Sequence, residues 1–373
     1  MTIFATVAAL ILLCYGALAA WMGARLLIGR GSQKKNNDAA FSISQLTVLI
    51  PCRNEAAVIQ RLFDQLKRSG AHVVVINDHS TDNTAEIARL AGTTVIQNSG
   101  RGKKDALRTG LAVVQTPFVL TLDADVILPT NQLAHLQLLI NQVNADLWLF
   151  PVLTKSAPSA LARFEALDVL SLNATAAAFA YQNHAIMGSG ACLLIRTEVY
   201  REAIAHLRYE LASGDDVFLI QHLRNEGKRI HMFTQAEAQV EVEAHTSLRA
   251  FIRQRIRWGQ KSPAYSDPIA QGVAWLVMFA NFSVLLSLIG LVSTHNVLFL
   301  APIAAKIIFD LALLLPAAIV FKRQQTLRFL LPAVLFYPFY LSFAAGWAVL
   351  THPAVRRKAN KNWDSPRRST NKS

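Results

Sequence analysis

Cysteine is scarce in this chain of 373 residues, which has only Cys14, Cys52 and Cys192, far apart from one another. An odd number of widely separated thiols suggests neither a disulfide framework nor the closely spaced ligand pairs of a zinc site. Such cysteine usage fits a protein exposed to the reducing cytosol.

Glycine-rich phosphate cradles are missing as well. The sequence contains neither a GxGxxG motif nor a GxxxxGK[ST] P-loop, and it has no internal repeat or long linker. A bound nucleotide would therefore be held by carboxylates, a metal ion and basic side chains. This absence favours a nucleotide sugar over NAD or ATP hydrolysis.

Acidic residues are few: 24 Asp and Glu stand against 37 Lys and Arg, which gives a net charge of +13. Much of the excess lies beside apolar segments and in the tail after Arg356, where low complexity is confined. Anionic lipid headgroups explain this pattern, so we expect an anionic lipid surface as partner. No nucleic acid is expected, because that hypothesis would rest on charge alone. Protein partners are not indicated.

Hydrophobic residues make up 53% of the chain, and the excess is concentrated at its two ends. Residues 3–28 are apolar apart from Arg25, and basic residues follow on the C-terminal side. The stretch is too long for a signal-peptide core, which favours a retained anchor at 1–30 and a cytosolic linker at 31–45. A cleaved signal peptide is the alternative.

Three further apolar stretches occupy the region 266–351, each long enough to cross a bilayer core of about 30 Å: about 269–293, 297–321 and 329–350. The first two form a hairpin with cytosolic ends, because their connection lacks Lys and Arg whereas basic residues follow the second. A full third span would place the basic tail 352–373 outside, against the positive-inside tendency. Pro332 and Pro338 would allow a broken or re-entrant segment instead.

Two opposite charges interrupt the second of these stretches. Lys306 and Asp310 are four residues apart, so on a helix they would face each other. Because an unpaired charge is costly in a membrane, we expect an ion pair. A role beside a lipid headgroup is the alternative.

Between the anchors, strand-like and helix-like patterns alternate from Leu46 onward. The expected strands are Leu46–Pro51, His72–Asn77, Thr93–Gln97 and Phe118–Leu122, and the expected helices are Ala56–Lys67, Thr84–Leu90 and Lys104–Ala112. Repeated βα units predict an α/β domain with a mainly parallel sheet, over residues 46–246. Ligands bind at the carboxyl ends of such strands, where Glu55, Asp78 and Asp123 fall.

An acidic pair follows the fourth expected strand. Asp123 and Asp125 are close enough to repel each other, so a cation should hold both ionised. A hard divalent ion, Mg²⁺ or Mn²⁺, bridging them to a diphosphate would suit carboxylate and phosphate oxygens. Asp78, after the second strand, could bind a ligand or serve ordinary turn and capping chemistry.

A second acidic pair, Asp215 and Asp216, precedes the helix-like run Val217–Ile220. One of the two could be an N-cap and the other a first-turn acid. Alternatively, a carboxylate here could accept a proton during a reaction.

Residues 247–265 are predicted to form an amphipathic helix at the membrane surface. The segment carries Gln254, Arg257 and Trp258. An arginine suits the charge of a departing diphosphate, and a tryptophan suits the wall of a sugar pocket.

The four signatures, in this order, resemble the D, DxD, D, QxxRW pattern of the membrane-bound family 2 glycosyltransferases. That branch includes ceramide glucosyltransferases and the processive cellulose and hyaluronan synthases. The resemblance covers roughly residues 46–260 and implies a GT-A-like nucleotide-sugar-binding domain flanked by transmembrane helices. Asn77 departs from the family's VDDxSxD pattern, which leaves Asp78 as the better match.

The resemblance also implies roles for the acidic residues. Asp78, with Glu55 nearby in the site, would contact the donor nucleotide. Asp125 would be the principal metal ligand, with Asp123 positioning the ribose or the metal. Asp216 would be the base that deprotonates the acceptor hydroxyl, with Asp215 in the glutamate position of a TED-type motif.

Two small-residue segments complete the implied site. Lys103 belongs to a glycine-lysine segment that resembles one closing over the donor, although a solvated basic turn is the alternative. Gly188, Ser189 and Gly190 are similar to the segment that borders the acceptor site, although close backbone packing would explain them equally well.

The sequence therefore predicts an inverting, metal-dependent glycosyltransferase that transfers a sugar from a nucleotide sugar, expected to be a UDP-sugar, to a membrane lipid. Its catalytic domain is expected on the cytosolic side of a bacterial inner membrane. Three or four membrane segments are few for a polymer channel. Elongation of a secreted polysaccharide, and an inactive membrane-tethered binding or assembly protein with this fold, are the alternatives.

Overall fold

The computed structural model describes residues 2–29, 41–67, 69–129, 132–211, 213–261 and 264–362. Most of the expected linker and the last part of the basic tail, from residue 363, lie outside the described residues. The strands are β1 (Leu46–Cys52), β2 (His72–Asn77), β3 (Thr94–Gln97), β4 (Phe118–Leu122), β5 (Leu147–Leu149), β6 (Val152–Thr154), β7 (Cys192–Arg196), β8 (Ile230–Met232) and β9 (Val240–Val242).

Helices connect and flank these strands. They are α1 (Thr2–Ile28), α2 (Ile59–Leu66), α3 (Thr84–Leu90), α4 (Lys103–Leu111), α5 (Gln132–Ile140), α6 (Ala160–Ala180), α7 (Thr197–Ala203), α8 (Asp215–Asn225), α9 (Leu248–Gly259), α10 (Pro268–Thr294), α11 (Leu300–Val320) and α12 (Leu330–Asn362).

Seven strands form one sheet in the order β3-β2-β1-β4-β7-β5-β8. The pairs β1–β2, β1–β4, β2–β3 and β5–β8 are parallel, and β7 is antiparallel to both of its neighbours. The prediction of a mainly parallel α/β sheet is confirmed. Every residue of β1 is buried, as expected for a central strand that is covered on both faces.

The sheet has an apolar core on each face. One core includes Leu62 of α2 and Leu136 of α5. The other includes Leu107 of α4, and it continues without a break to Met22 of α1 and Ala317 of α11. The α/β domain and the apolar helices therefore share one core.

Helix α2 begins at Ile59, three residues later than predicted. The backbone N–H of Glu55 donates to Thr84 Oγ1 at 2.8 Å, and that of Ala56 donates to Asp82 Oδ2 at 3.2 Å. These tertiary bonds hold the preceding residues in a turn, and propensity alone could not reveal them.

Four helical segments within the described part of the chain are long and apolar enough to cross a membrane: Thr6–Ile28, Pro268–Thr294, Val297–Val320 and Gln324–Trp347. Helix α12 is continuous through Pro332 and Pro338 and extends past residue 351. Whether this segment spans a membrane or is re-entrant stays a prediction. Pro332 lies in the first turn, where the missing N–H costs no helical bond.

The predicted ion pair is confirmed. Lys306 Nζ lies 2.7 Å from each carboxylate oxygen of Asp310 on the same helix. Tyr15 of α1 donates its hydroxyl to Asp310 Oδ1 at 2.6 Å. This polar contact joins the first and the third of the long apolar helices.

Candidate active site

A cleft of about 2560 Å³ opens at the carboxyl edge of the sheet. Because β7 is antiparallel to β4, the residues that precede β7 reach the same edge as the residues that follow β4. The backbone N–H of Asp123 donates to the Ala191 carbonyl at 3.0 Å. The reversed strand thus brings Gly188–Gly190 beside the first acidic pair.

Most of the predicted site residues line this one cleft: Lys103, Asp123, Asp125, Gly188, Ser189, Gly190, Asp215, Asp216, Gln254, Arg257 and Trp258. Residues that are 155 positions apart in sequence, such as Lys103 and Trp258, therefore belong to one site. The cleft continues between α9 and the long apolar helices, where Tyr337 and Asn281 also line it.

Lys103 is the contact that joins the two acidic pairs. Its Nζ lies 2.7 Å from Asp123 Oδ1 and 3.2 Å from Asp215 Oδ2, and it donates to the Gly190 carbonyl at 2.9 Å. Gly102, at φ +88°, turns the chain into α4 so that Lys103 is its first residue. One ammonium group therefore reduces the repulsion between two carboxylates from distant parts of the chain.

Asp215 and Asp216 form the first turn of α8, and the N-cap is Gly214 at φ +93°, so neither Asp is the cap. Asp216 Oδ2 accepts the Gly190 N–H at 3.1 Å, and its Oδ1 accepts the Val217 N–H at 2.7 Å. Lys261 Nζ lies 3.5 Å from Asp216 Oδ1. The two neighbours are thus oriented differently, Asp215 toward Lys103 and Asp216 toward Gly190.

The charge state of Asp215 follows from its surroundings. Burial alone would raise the pKa of this carboxyl, but the positive charges of Lys103 and Lys261 outweigh burial and lower the pKa below its ordinary value. Asp215 is therefore ionised at neutral pH.

Two glycines leave no room for a side chain. A Cβ at Gly190 would lie 2.9 Å from Asp215 Oδ2 and 3.3 Å from Lys103 Nζ. A Cβ at Gly188 would lie 2.9 Å from Ile220 Cδ1. At Gly188 the neighbour is the movable end of an isoleucine side chain, which agrees with close packing, whereas a Cβ at Gly190 would press on the acid–lysine cluster.

Asp125 has carboxylate oxygens available for a ligand. Its backbone carbonyl accepts a hydrogen bond from Arg61 at 3.2 Å, and its carboxylate forms no hydrogen bond or ion pair with the described residues. No group of three His, Cys, Asp or Glu side chains in the described ranges could hold a metal. One or two carboxylates completed by phosphate oxygens are typical of Mg²⁺ sites, and Asp125 with Asp123 fits that donor set.

Asp78 lies beneath the cleft instead of in its wall. Its side chain is fully buried; Oδ1 accepts from Asn98 Nδ2 at 2.6 Å and Oδ2 accepts from the Gly102 N–H at 3.0 Å. Direct contact between Asp78 and a nucleotide would require these bonds to be exchanged. In this structure Asp78 orders the loop that positions Lys103. Glu55 lies in the turn before α2.

The QxxRW segment forms the predicted helix, α9, with Gln254, Arg257 and Trp258 in the wall of the cleft. Arg255, between them, is buried but also lines the cleft, and its Nη1 donates to Gln254 Oε1. Its Nε and Nη2 lie 2.7 and 2.6 Å from Asp168 Oδ2 on α6.

Asp168 joins three helices. Its Oδ1 accepts the hydroxyl of Tyr337 on α12 at 2.9 Å, while Oδ2 receives Arg255. The Arg255 guanidinium also lies 4.2 Å from the centre of the Trp258 ring, within the range of a cation–π contact. The position of Trp258 therefore depends on α6 and α12.

Sequence reasoning missed several residues of the cleft wall. His245 Nδ1 lies 2.7 Å from Glu165 Oε1, and the His245 N–H donates to Glu165 Oε2 at 2.7 Å. Burial would raise the pKa of Glu165, but the hydrogen bonds from His245 lower it below its ordinary value. The two residues are 80 positions apart, and no local pattern in the sequence pairs them.

Lys104 belongs to the same glycine-lysine segment as Lys103, but its contacts were not predicted. Its buried ammonium donates to the carbonyls of Arg208 and Leu211, both at 2.8 Å. Burial lowers its pKa to about 8, although Asp215 acts in the opposite direction. Lys104 thus fastens the loop before α8 to the start of α4.

Comparison with known proteins gives a consistent result. Residues 47–204 match the profile of the family described as Glycosyl transferase family 2. Glycosyltransferase AglJ of Haloferax volcanii is 41% identical over 80 residues, which are 21% of this chain and 26% of that protein. The 4,4'-diaponeurosporenoate glycosyltransferase of Staphylococcus aureus is 35% identical over 109 residues, 27% of this chain and 29% of that protein.

These matches span under a third of the length of those relatives. A solved mannosyltransferase of Pyrobaculum calidifontis, in complex with GDP-Man and Mn²⁺, superposes with a TM-score of 0.56 and 19% identity, over 89% of this chain and 98% of that one. That likeness confirms the GT-A-like fold. Residues 47–204 are therefore similar to a family 2 glycosyltransferase domain and have its GT-A-like fold, in a chain that also has helices long and apolar enough to cross a membrane.

Proposed function

We propose that this protein is a membrane-bound, metal-dependent, inverting glycosyltransferase that transfers one sugar from a nucleotide sugar to a lipid. The observation that carries the proposal is the single cleft, which has the acidic site at one end and the apolar helices at the other. A water-soluble donor and an apolar acceptor can meet at such a junction without either leaving its own solvent.

The donor diphosphate would bind near Asp125, Lys103 and Arg257. A divalent cation, Mg²⁺ or Mn²⁺, held by Asp125 with Asp123, would supply charge stabilisation for the diphosphate leaving group. Lys103 contributes a positive charge from the same wall of the cleft, and Arg257 neutralises the departing group. We propose a UDP-sugar as donor.

Asp216 would remove the proton from the acceptor hydroxyl as that oxygen attacks the anomeric carbon in line. Asp216 adjoins Gly190, which has no side chain to obstruct an approaching hydroxyl group. Asp215 is a weaker candidate, because Lys103 and Lys261 lower its pKa and a less basic carboxylate accepts a proton less readily.

The acceptor would enter from the bilayer. The inner part of the cleft is lined by apolar and aromatic residues of α10 and α12, among them Trp275, Phe343 and Trp347. These rings suit the boundary between headgroups and acyl chains. Trp258, between this part and the acidic site, would form the wall beside the accepting sugar or headgroup.

The surface of α9 bears on which membrane the protein occupies and on which side the domain lies. Helix α9 exposes Arg249 and Arg253, which suits contact with anionic headgroups. We propose that the domain faces the cytosol at a bacterial inner membrane. The buried free thiols of Cys52 and Cys192 agree with a reducing compartment.

Within the family, these features favour the ceramide glucosyltransferase-like branch over the processive synthases. Four helices long enough to cross a membrane, found within the described residues, are few to build a channel for a growing polymer. One sugar should therefore be added per acceptor.

The test is to incubate the purified full chain, in membranes of native lipid, with a panel of labelled nucleotide sugars. The labelled product should extract into organic solvent and carry one added sugar mass per lipid by mass spectrometry. Its size should not change as the donor concentration rises. A ladder of long, water-soluble chains made by the protein alone would overturn the proposal in favour of polysaccharide synthesis.

A further inference from the structure

Four polar side chains lie deep among the apolar helices, away from the acidic site. Lys306 and Asp310 of α11 are paired, with relative exposures of 3% and 9%, and Tyr15 of α1 donates to the same carboxylate. The Lys306 ammonium also lies 4.8 Å from the centre of the Tyr15 ring. These three groups satisfy one another and carry no net charge.

The fourth is Asn281 of α10, and it is not satisfied. Its Nδ2 donates to the Val277 carbonyl at 2.8 Å, while its buried Oδ1 accepts no hydrogen bond from any described residue. An acceptor left without a hydrogen bond in an apolar medium destabilises the fold. Such an atom calls for a hydrogen-bond donor supplied from elsewhere.

The four side chains lie at one level of the helical bundle. Ala280 packs in one cluster with Tyr15 and Phe309, and Asn281 and Asp310 are the residues that follow. Asn281 is midway along Pro268–Thr294. For a bilayer core of about 30 Å, this places the cluster roughly 15 Å below the surface.

The same four residues line the cleft that holds Asp123 and Asp216. A molecule lying in the cleft can therefore contact both the catalytic end and the buried cluster. Ionisable side chains inside a membrane that face a cavity commonly mark a binding site.

We propose that Asn281, backed by Lys306, Asp310 and Tyr15, is a binding site for a hydroxyl group carried within the apolar part of the acceptor lipid. The inference rests on the proposed function, because it assumes that the cleft binds a lipid. Asn281 Oδ1 accepts a hydrogen bond from the lipid hydroxyl group. The Lys306–Asp310 pair makes the surrounding surface polar without giving it a net charge. The site therefore selects lipids with a mid-chain hydroxyl over otherwise identical lipids without one.

The probes are two monoacylglycerols of equal chain length, 1-(12-hydroxystearoyl)glycerol and 1-stearoylglycerol. Both offer glycerol hydroxyls to the acidic site, and only the first has a hydroxyl partway down its chain. Binding to the purified full chain in detergent is measured by native mass spectrometry, with the two lipids in competition and without any sugar donor.

Wild-type protein should bind the hydroxylated lipid about fivefold more tightly, as expected for one hydrogen bond to a neutral acceptor. Asn281→Leu should bind both lipids equally. Ser283→Ala, on the same helix and also buried, removes a hydroxyl that is bonded to the Phe279 carbonyl, and it should retain the preference.

Equal binding of the two lipids by wild-type protein overturns the inference. This measurement does not depend on the folding of any variant. An undiminished preference in Asn281→Leu overturns it too. The proposed function is tested separately by sugar transfer. Transfer to both lipids without a binding preference removes the hydroxyl site alone, whereas a preference in binding without transfer removes the enzymatic proposal alone.

Discussion

At the scale of single residues, the two neighbouring acids of α8 differ in what they contact. Asp216 is oriented by the Gly190 and Val217 N–H groups, and Asp215 is paired with Lys103. Identical side chains next to each other in sequence can thus have different roles. Substitution of each by Asn, which keeps the shape and removes the charge, separates these roles.

Asp216→Asn should preserve folding and donor binding and reduce turnover by roughly a hundredfold or more, as for the loss of a general base. Asp215→Asn, the matched control, should have the smaller effect. Turnover and donor binding would be measured on both variants. The opposite order would mean that the assignment of the base is one residue out of register.

Metal dependence is expected from Asp125, whose carboxylate is uncommitted among the described residues. Chelation should abolish sugar transfer, and Mn²⁺ or Mg²⁺ should restore it. Asp125→Asn should weaken donor binding as well as turnover, because Asp125 and the donor diphosphate would bind the same cation. Full activity in excess chelator would remove the cation from the mechanism.

Lys104 should give stability a distinctive pH dependence. Its pKa is about 8 in the fold and about 10.4 in an unfolded chain, so between these values the unfolded state binds the extra proton. Its contribution to stability therefore rises with pH through this window, by about 1.4 kcal/mol per pH unit at most. The neutral amine still has two N–H groups for the two carbonyls that it contacts.

The measurement compares the thermal unfolding of wild type with that of Lys104→Met from pH 7 to pH 10. The unfolding temperature of wild type minus that of Lys104→Met should increase as pH rises. A difference that is flat, or that falls, would mean that Lys104 keeps its charge in the fold.

At the scale of elements, α9 depends on the buried ion pair between Arg255 and Asp168. Arg255 is one of the unspecified positions of the QxxRW motif. Arg255→Met should destabilise the protein by about 3–5 kcal/mol, because it leaves the Asp168 carboxylate buried and without its cation. Arg255→Met with Asp168→Leu should recover much of that loss. Thermal unfolding in detergent measures both, and a double variant no more stable than the single one would contradict this account.

The elements themselves were largely predictable, since β2, α3 and β4 have the expected bounds. Their apolar runs and turn residues are local signals, and buried parallel strands rely on such runs. The reversal of β7 was not predicted, because Cys192–Arg196 is equally apolar in either direction. The contacts Lys103–Asp215 and Arg255–Asp168 depend on that tertiary arrangement, so no spacing in the sequence could indicate them.

The same distinction applies to the site. The motifs indicated which residues gather in the cleft, because each follows a strand or lies on a recognisable helix. They did not indicate that Asp78 is buried under the loop that carries Lys103. A carboxylate after a strand is the same pattern whether it faces the ligand or supports the loop above it.

At the scale of the whole molecule, the α/β domain shares the hydrophobic core on one face of its sheet with the apolar helices. That core continues from α6 into α1 and α11, and the alanines on that side of α6, including Ala174 and Ala177, are buried in it. Residues 46–260 expressed alone would expose this face to water. Such a fragment should aggregate, or elute as oligomers in size-exclusion chromatography, whereas the full chain in detergent should not. A soluble, monomeric fragment with a cooperative unfolding transition would show that the shared core is dispensable.

The bond between Tyr15 and Asp310 has a consequence for biosynthesis. The two residues are 295 positions apart, so at about 5–20 residues per second the ribosome needs roughly 15–60 s to deliver the second after the first. During that interval α1 lacks both the partner of its Tyr15 phenol and the α11 residues against which Gly16 and Gly23 later pack. Packing of α1 is therefore completed only late in translation, and a nascent chain stalled before α11 would leave that surface of the helix uncovered.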